Sequence, residues 1–223
     1  MTNGYTAYTG PSAINGEPIK AIVTGTKNPS ANRKTGDMLQ LWIMPATTLP
    51  TEALTSGADQ SVCGACVHRP ASPEVKAKKA DRCYVNVGQA PNRVWRTSYP
   101  TDRTTTRNVP MRLGAWGDPA ALPYDVANGL VTKNHTGYTH QWRTCDQRFR
   151  TISMASVDTA VEAIEAQKMG WRTFRVRDEA DPIMPNEIMC PASKEAGFRT
   201  KCAQCGLCAG TTRKAKNIAI IAH

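Results

Sequence analysis

The chain lacks most of the signatures that would assign it at once. No stretch of eighteen consecutive apolar residues occurs, which excludes a hydropathic membrane-spanning helix. The first residues, Met1-Thr-Asn-Gly-Tyr-Thr-Ala-Tyr, carry neither the basic head nor the apolar segment of a secretory signal, so a cytoplasmic protein is expected. There is no P-loop, no H-E-x-x-H, no serine elbow and no glycine-rich phosphate loop. Those absences argue against the common nucleotidases, zinc proteases and serine hydrolases. With only three Phe and a mean hydropathy of −0.43, the expected core is modest for 223 residues.

Cysteine, by contrast, is plentiful. Eight are present, and in a reducing compartment they read as metal ligands before disulfides; a secreted chain would reverse that preference. Cys190-Pro191 is followed by Cys202-Ala-Gln-Cys205-Gly-Leu-Cys208. Two consecutive C-x2-C steps let three sulfurs turn toward one point, and Cys190 can supply a fourth. That spacing suits a 4Fe-4S cluster, and zinc is the alternative because structural zinc also takes four thiolates. A second group comprises Cys63-Gly-Ala-Cys66 and Cys83, with His68, Cys145 or an outside ligand as the fourth partner. Three thiolates with an open position would let a metal bind substrate. Cys145 has no partner nearby in sequence and reads as a packed thiol.

Charge is the second positive signal. The formal net charge is +10, and between Cys66 and Arg112 ten Lys and Arg face three acidic residues. Clustered cations gain by releasing counterions from phosphates, so a DNA or RNA partner, or a phosphorylated small molecule, is expected. Within this stretch Arg93, Arg96, Arg103 and Arg107 interleave with Trp95 and Tyr99, a mixture suited to phosphate contact and base stacking. A solvated basic loop is the plainer reading of the same residues.

Residues 1–20 read as an irregular lead-in, and Ala21–Gly25 and Met38–Met44 as a strand pair joined by a basic loop. From Pro110 the pattern becomes strand–helix alternation: strands at Met111–Trp116, Gly137–Trp142, Thr151–Ala155, Trp171–Val176, Ile188–Cys190 and Asn217–Ala222. Helices are expected at Thr51–Thr55, Pro123–Lys133 and Thr159–Met169, the last capped by Ser156 or Asp158 with Val157, Val161 and Ile164 on one face. The implied fold is α/β, a partial (β/α) barrel or open parallel sheet with an N-terminal β-hairpin and cysteine-rich metal-binding loops. Three segments follow, expected to form one compact domain: 1–60, 61–109 and 110–223. Function in such sheets gathers at the strands' C-terminal ends, where Asp118, in Gly-Asp-Pro, and His140 are the catalytic expectations. No base–nucleophile pair is legible.

The Cys63/Cys66 pair, Cys83-Tyr84, Gly117-Asp118 and Tyr138-Thr139 together resemble a family of cysteine-rich proteins encoded by bacteriophages, over roughly residues 60–210. That resemblance implies a phage-type protein in a bacterial cytoplasm and brings no activity with it. A weaker similarity is to radical S-adenosylmethionine enzymes, which join a partial barrel to an open cubane. The chain departs from them in lacking C-x3-C-x2-C. Two functional classes thus stand side by side: an iron–sulfur protein acting on nucleic acid or a nucleotide, and a zinc-stabilised nucleic-acid-binding protein without catalysis. The plainest reading, a metal-stabilised interaction protein, stands behind both.

Overall fold

A computed structural model describes residues 2–30, 32–77, 83–102 and 107–222. Among these described residues nine strands form one sheet: β1 Gly4–Pro11, β2 Pro18–Thr24, β3 Leu39–Pro45, β4 Met111–Trp116, β5 His135–Thr139, β6 Met154–Val157, β7 Thr173–Arg177, β8 Glu187–Met189 and β9 Asn217–Ile221. The helices are α1 Pro50–Ser56, α2 Gln60–Cys63, α3 Pro73–Lys76, α4 Ala90–Arg96, α5 Tyr124–Gly129, α6 Ala160–Lys168 and α7 Cys202–Cys205. Strand order is β1-β2-β3-β4-β5-β6-β7-β9-β8, so the sheet is open with β1 and β8 at its edges. β1, β2 and β3 run antiparallel, and every pairing from β3 to β8 is parallel. The α/β class, the open, mostly parallel sheet and the N-terminal hairpin of the sequence reading are all present.

Four local expectations are corrected. The lead-in over 1–20 contains β1, paired with β2; its run of Tyr and Thr is strand-forming, and the flanking Gly, Asn and Pro obscured it. β5 stops at Thr139, and a 3-10 turn at Gln147–Thr151 delays β6 to Met154. α5 is shorter than Pro123–Lys133. α6 is capped by Thr159, whose Oγ1 accepts from the Glu162 amide at 3.1 Å, and it packs through Ala163 and Ala166. Val161 and Ile164 face solvent, 75% and 46% exposed. Small alanines let the helix lie close on the sheet, so bulk apolar periodicity pointed to the wrong face.

The sheet's two faces have different cores. On one, Leu113, Ala155 and Val157 pack with Trp142, Phe149, Trp171 and α6, continuous with the hairpin core of Ile19, Val23, Leu41 and Ile43. The other carries Met154, Ile218, Ile220, Tyr138, Phe174 and Val176, packed with Cys190, Cys202 and Cys208. At the edge, Arg175 on β7 and Glu187 on β8 form a buried two-point ion pair at 2.7 and 2.9 Å. Glu187 also accepts from the Met184 amide, so its charge is paired and hydrogen-bonded, the condition under which a buried carboxylate is tolerated. No described helix is long and apolar enough to cross a membrane.

Candidate metal centre

Parallel strands send their connections to the same end of the sheet, and the two longest connections carry the cysteines. The β3–β4 connection holds Cys63, Cys66 and Cys83; the β8–β9 connection holds Cys190, Cys202, Cys205 and Cys208. Although 107 residues separate Cys83 from Cys190, all seven line one cavity of about 540 Å³. Asp118, His140, Tyr138, Lys34 and Arg112 line it too, above an apolar floor of Phe174, Val176, Ile218 and Ile220. Every described cysteine is a free thiol.

Local geometry explains how the front loop reaches the cavity. α2 ends at Gly64, whose φ of +51° is open to glycine and strained for other residues; a Cβ there would lie 2.4 Å from Gln141 Oε1. Gln141 holds this loop from both sides, accepting from the Ala65 amide at 3.0 Å and donating to the Cys63 carbonyl at 3.0 Å. Gly117, at φ +84°, passes so close to β3 that a Cβ would meet Ile43 O at 2.3 Å. That turn delivers Asp118. Its Oδ1 accepts from the Ala120 amide at 2.9 Å, and its Oδ2 accepts from the His140 amide at 2.8 Å and from Gln141 Nε2 at 3.3 Å. The Asp118 amide in turn donates to the Val62 carbonyl at 2.6 Å. Asp118 therefore ties the tips of β4 and β5 to the front cysteine loop, a positioning role that occupies both carboxyl oxygens.

The rear loop is docked on the opposite wall. Amides of Cys202 and Ala203 donate to the carbonyls of Lys34 and Thr35, bringing α7 against the β2–β3 loop. The Cys190 amide donates to Ala219 O as β8 ends, and the Gly137 amide donates to Cys208 O. Three sulfurs receive the backbone amide two residues further on: Cys66 from His68, Cys83 from Val85 and Cys190 from Ala192. The Tyr138 hydroxyl is hydrogen-bonded to the Cys208 sulfur. Donors aimed at sulfur favour thiolate over thiol, the ligand form of cysteine.

Burial works against those donors. It pushes Cys63 well above the ordinary thiol range and raises Cys66 and Cys208 to about 12. Neighbouring acids add to this at the front, Asp59 and Asp118 for Cys63, Asp118 and Asp158 for Cys66. At the rear, burial raises Cys202 while Lys34 and Arg112 pull it down. Cys145, raised by burial to about 12, is half-buried against the main core as a packed thiol. Burial also raises the Asp118 carboxyl and lowers the His140 imidazole, moving both toward their neutral forms.

A single zinc ion with bonds near 2.3 Å draws its sulfurs to within about 4 Å of one another. Neither cysteine group is that tight. Among the described residues, the one group of three potential ligands with atoms mutually within 4.8 Å is His68, His140 and Asp158. A cubane presents one thiolate to each corner iron and so holds its ligands farther apart than a lone ion does.

The basic, aromatic stretch lies elsewhere. Arg93 and Arg96 are exposed on α4, outside the cavity lining. Trp95 is committed to packing: its Nε1 donates to Pro45 O at 2.8 Å and the Lys20 ammonium sits 4.2 Å from its ring. Arg107 pairs with Asp37 and donates to Gly25 O at 2.8 Å. Arg103 lies outside the described residues, as do Lys78, Lys79 and Arg82. The sequence reading missed Tyr138 as a sulfur partner and Asp158 as a possible ligand, which it treated only as a helix cap. It also left Lys34 as one basic residue among several in its loop. A search of protein-family models, curated proteins and solved structures finds no significant match to this chain.

Proposed function

We propose that the protein is a cytoplasmic, phage-type iron–sulfur enzyme with two thiolate-held centres facing one substrate cavity. Cys190, Cys202, Cys205 and Cys208 would hold a 4Fe-4S cluster with all corners ligated. Cys63, Cys66 and Cys83 would hold a second centre whose remaining position faces the cavity. One observation carries this reading: seven thiols from remote parts of the chain line a single cavity, with sulfurs set wider than one ion requires. When bound, such clusters supply electron transfer and, at an open corner, a Lewis-acidic binding position.

The chain's own groups define the rest. Lys34 and Arg112 place positive charge on the cavity wall, suited to the phosphate of a nucleotide or nucleic-acid end. Tyr138 and the amides of His68, Val85 and Ala192 donate to the sulfurs and would support the thiolate form that a bound metal requires, against the burial that raises each thiol. Asp118 positions His140 through its backbone amide, and burial favours the neutral form of the imidazole at the cavity wall. The apolar floor excludes water from beneath the bound molecule.

Protein purified without oxygen tests the reading. Brown colour, broad visible absorbance and acid-labile sulfide equal to iron are expected. Colourless protein with stoichiometric zinc and no sulfide would instead support the zinc-stabilised nucleic-acid-binding alternative. In that case a steep fall of oligonucleotide affinity with salt would place the work on Arg93 and Arg96 of α4.

A further inference from the structure

We infer that His68, His140 and Asp158 form a mononuclear site for a divalent first-row transition-metal ion, separate from the cysteine centres. The three residues come from three connections. His68 follows the front C-x2-C, His140 follows β5, and Asp158 follows β6. One ligand atom from each lies within 4.8 Å of the other two.

His68 Nε2 and Asp158 Oδ1 are 3.0 Å apart, the edge of a coordination octahedron with bonds near 2.1 Å. A hydrogen-bonded ion pair explains that one distance equally well. It does not explain the second imidazole. The rings of His68 and His140 meet edge to face with centroids 6.1 Å apart and planes at 74°, which lets both present a nitrogen to one point.

Two imidazoles and one carboxylate on separate loops match the ligand set of open, three-ligand metal sites, which leave positions for water or substrate. Each loop is held from behind. The His140 amide donates to Asp118 Oδ2 at 2.8 Å. The His68 carbonyl accepts from the Cys83 amide at 2.9 Å. The Asp158 amide donates to Glu162 Oε2 at 3.0 Å, inside the capping box that starts α6. His68 and Asp158 keep side-chain exposures of 23% and 24%, so an ion has an entry path. Cys66 Sγ lies 3.8 Å from His140 Nε2, which places the ion beside the front thiolates, at the mouth of the cavity that His68 and His140 line. Nitrogen and oxygen donors select a different metal population from thiolates, so the two kinds of centre can coexist.

Manganese(II) is the probe, because it disfavours thiolate ligands and its electron paramagnetic resonance separates free from bound ion. Wild-type protein is expected to bind one equivalent and to show spin-echo modulation from imidazole nitrogen. Asp158→Asn and His68→Gln, both close in shape to the native residue, are expected to weaken binding at least tenfold with iron and sulfide content unchanged. Cys190→Ser is expected to lose sulfide and keep the manganese. Absence of bound manganese in wild type, bound manganese without nitrogen modulation, or equal affinity in Asp158→Asn would overturn the inference. Loss of sulfide from wild type would sink the iron–sulfur reading and leave this one standing.

Discussion

The two cysteine groups sit across one cavity but in different electrostatic surroundings. Around the front trio acids predominate among the nearest charges: Asp59, Asp118 and Asp158 raise the thiols that burial has already raised, with Arg112 opposing them at Cys83. Around the rear quartet they include cations, with Lys34 and Arg112 favouring the thiolate of Cys202 and Lys34 that of Cys190. Four thiolates around a cluster leave net negative charge, and the rear wall is arranged to accept it. At the front, fewer thiolates and more carboxylates leave a site that favours a centre short of one protein ligand. Under the proposed function, the difference assigns unequal duties: a stably held rear cluster and a front centre free to engage what enters the cavity.

The sharpest way to break this comparison is to remove one group at a time. Cys202→Ser should abolish the rear centre and lower iron and sulfide by one cluster's content, about four irons, while the front centre survives. Cys66→Ser should do the converse, and loss of both centres from either variant would show that the cysteines form one joint site. Iron and sulfide analysis reads this directly.

Next in size are the brackets behind each group. Glu187→Ala leaves the buried Arg175 with only the Pro182 carbonyl at 2.8 Å and the exposed Asp181 at 3.9 Å, and should destabilise by about 3 kcal/mol in a denaturant titration. Asp118→Ala strands the amides of Ala120 and His140 and removes one of the two acceptors of Gln141 Nε2, and should destabilise by about 2–4 kcal/mol. If the two halves are held independently, Asp118→Ala should loosen the front metal and spare the rear. Equal loss at both would merge them.

A smaller effect is expected from Lys34→Ala combined with Arg112→Ala. Rear-cluster retention against a chelator should fall roughly tenfold, as for other groups just outside the ligands, and by more than front-site retention, where Arg112 acts on Cys83 alone. An unchanged retention would remove the electrostatic half of the comparison.

Smallest is a control for acid sensitivity away from the cysteines. His135, at the start of β5, is buried between the Thr132 and Ile152 carbonyls, and burial holds its imidazole below the ordinary value of 6.5. A lowered value means the unfolded chain binds the proton first. The stability His135 contributes is therefore present above pH 6.5 and lost as pH falls through and below that point, at no more than about 1.4 kcal/mol per pH unit. His135→Gln should flatten the wild-type stability curve between pH 7 and 5; an unaltered slope would assign the acid loss to the cavity groups instead.

Local chemistry made much of this legible from residues alone. β4 was expected at Met111–Trp116 and lies there, because an apolar run ending in Gly-Asp-Pro leaves few alternatives. β2, β3 and α1 were placed to within a few residues by composition and by their bounding Pro and Gly. α6 was found but turned to the wrong face, since Ala163 and Ala166 carry little hydrophobic signal and only the closeness of the sheet selects them. The aromatic and basic stretch shows the same limit. Trp95 looked available for stacking until the Pro45 carbonyl and Lys20 took it.

Taken alone, the order of residues determined that this is an α/β chain with two cysteine groups of ligand spacing, because short-range geometry links C-x2-C to convergent sulfurs. It also placed Asp118 and His140 beside strand ends, since strand and turn propensities are local. Only the tertiary structure decided that both groups open on one cavity, that Asp118 serves as a bracket, and that His68, His140 and Asp158 meet. Those facts depend on which strands become neighbours, and strand pairing is settled by burial across the whole sheet, over sequence distances no local pattern encodes.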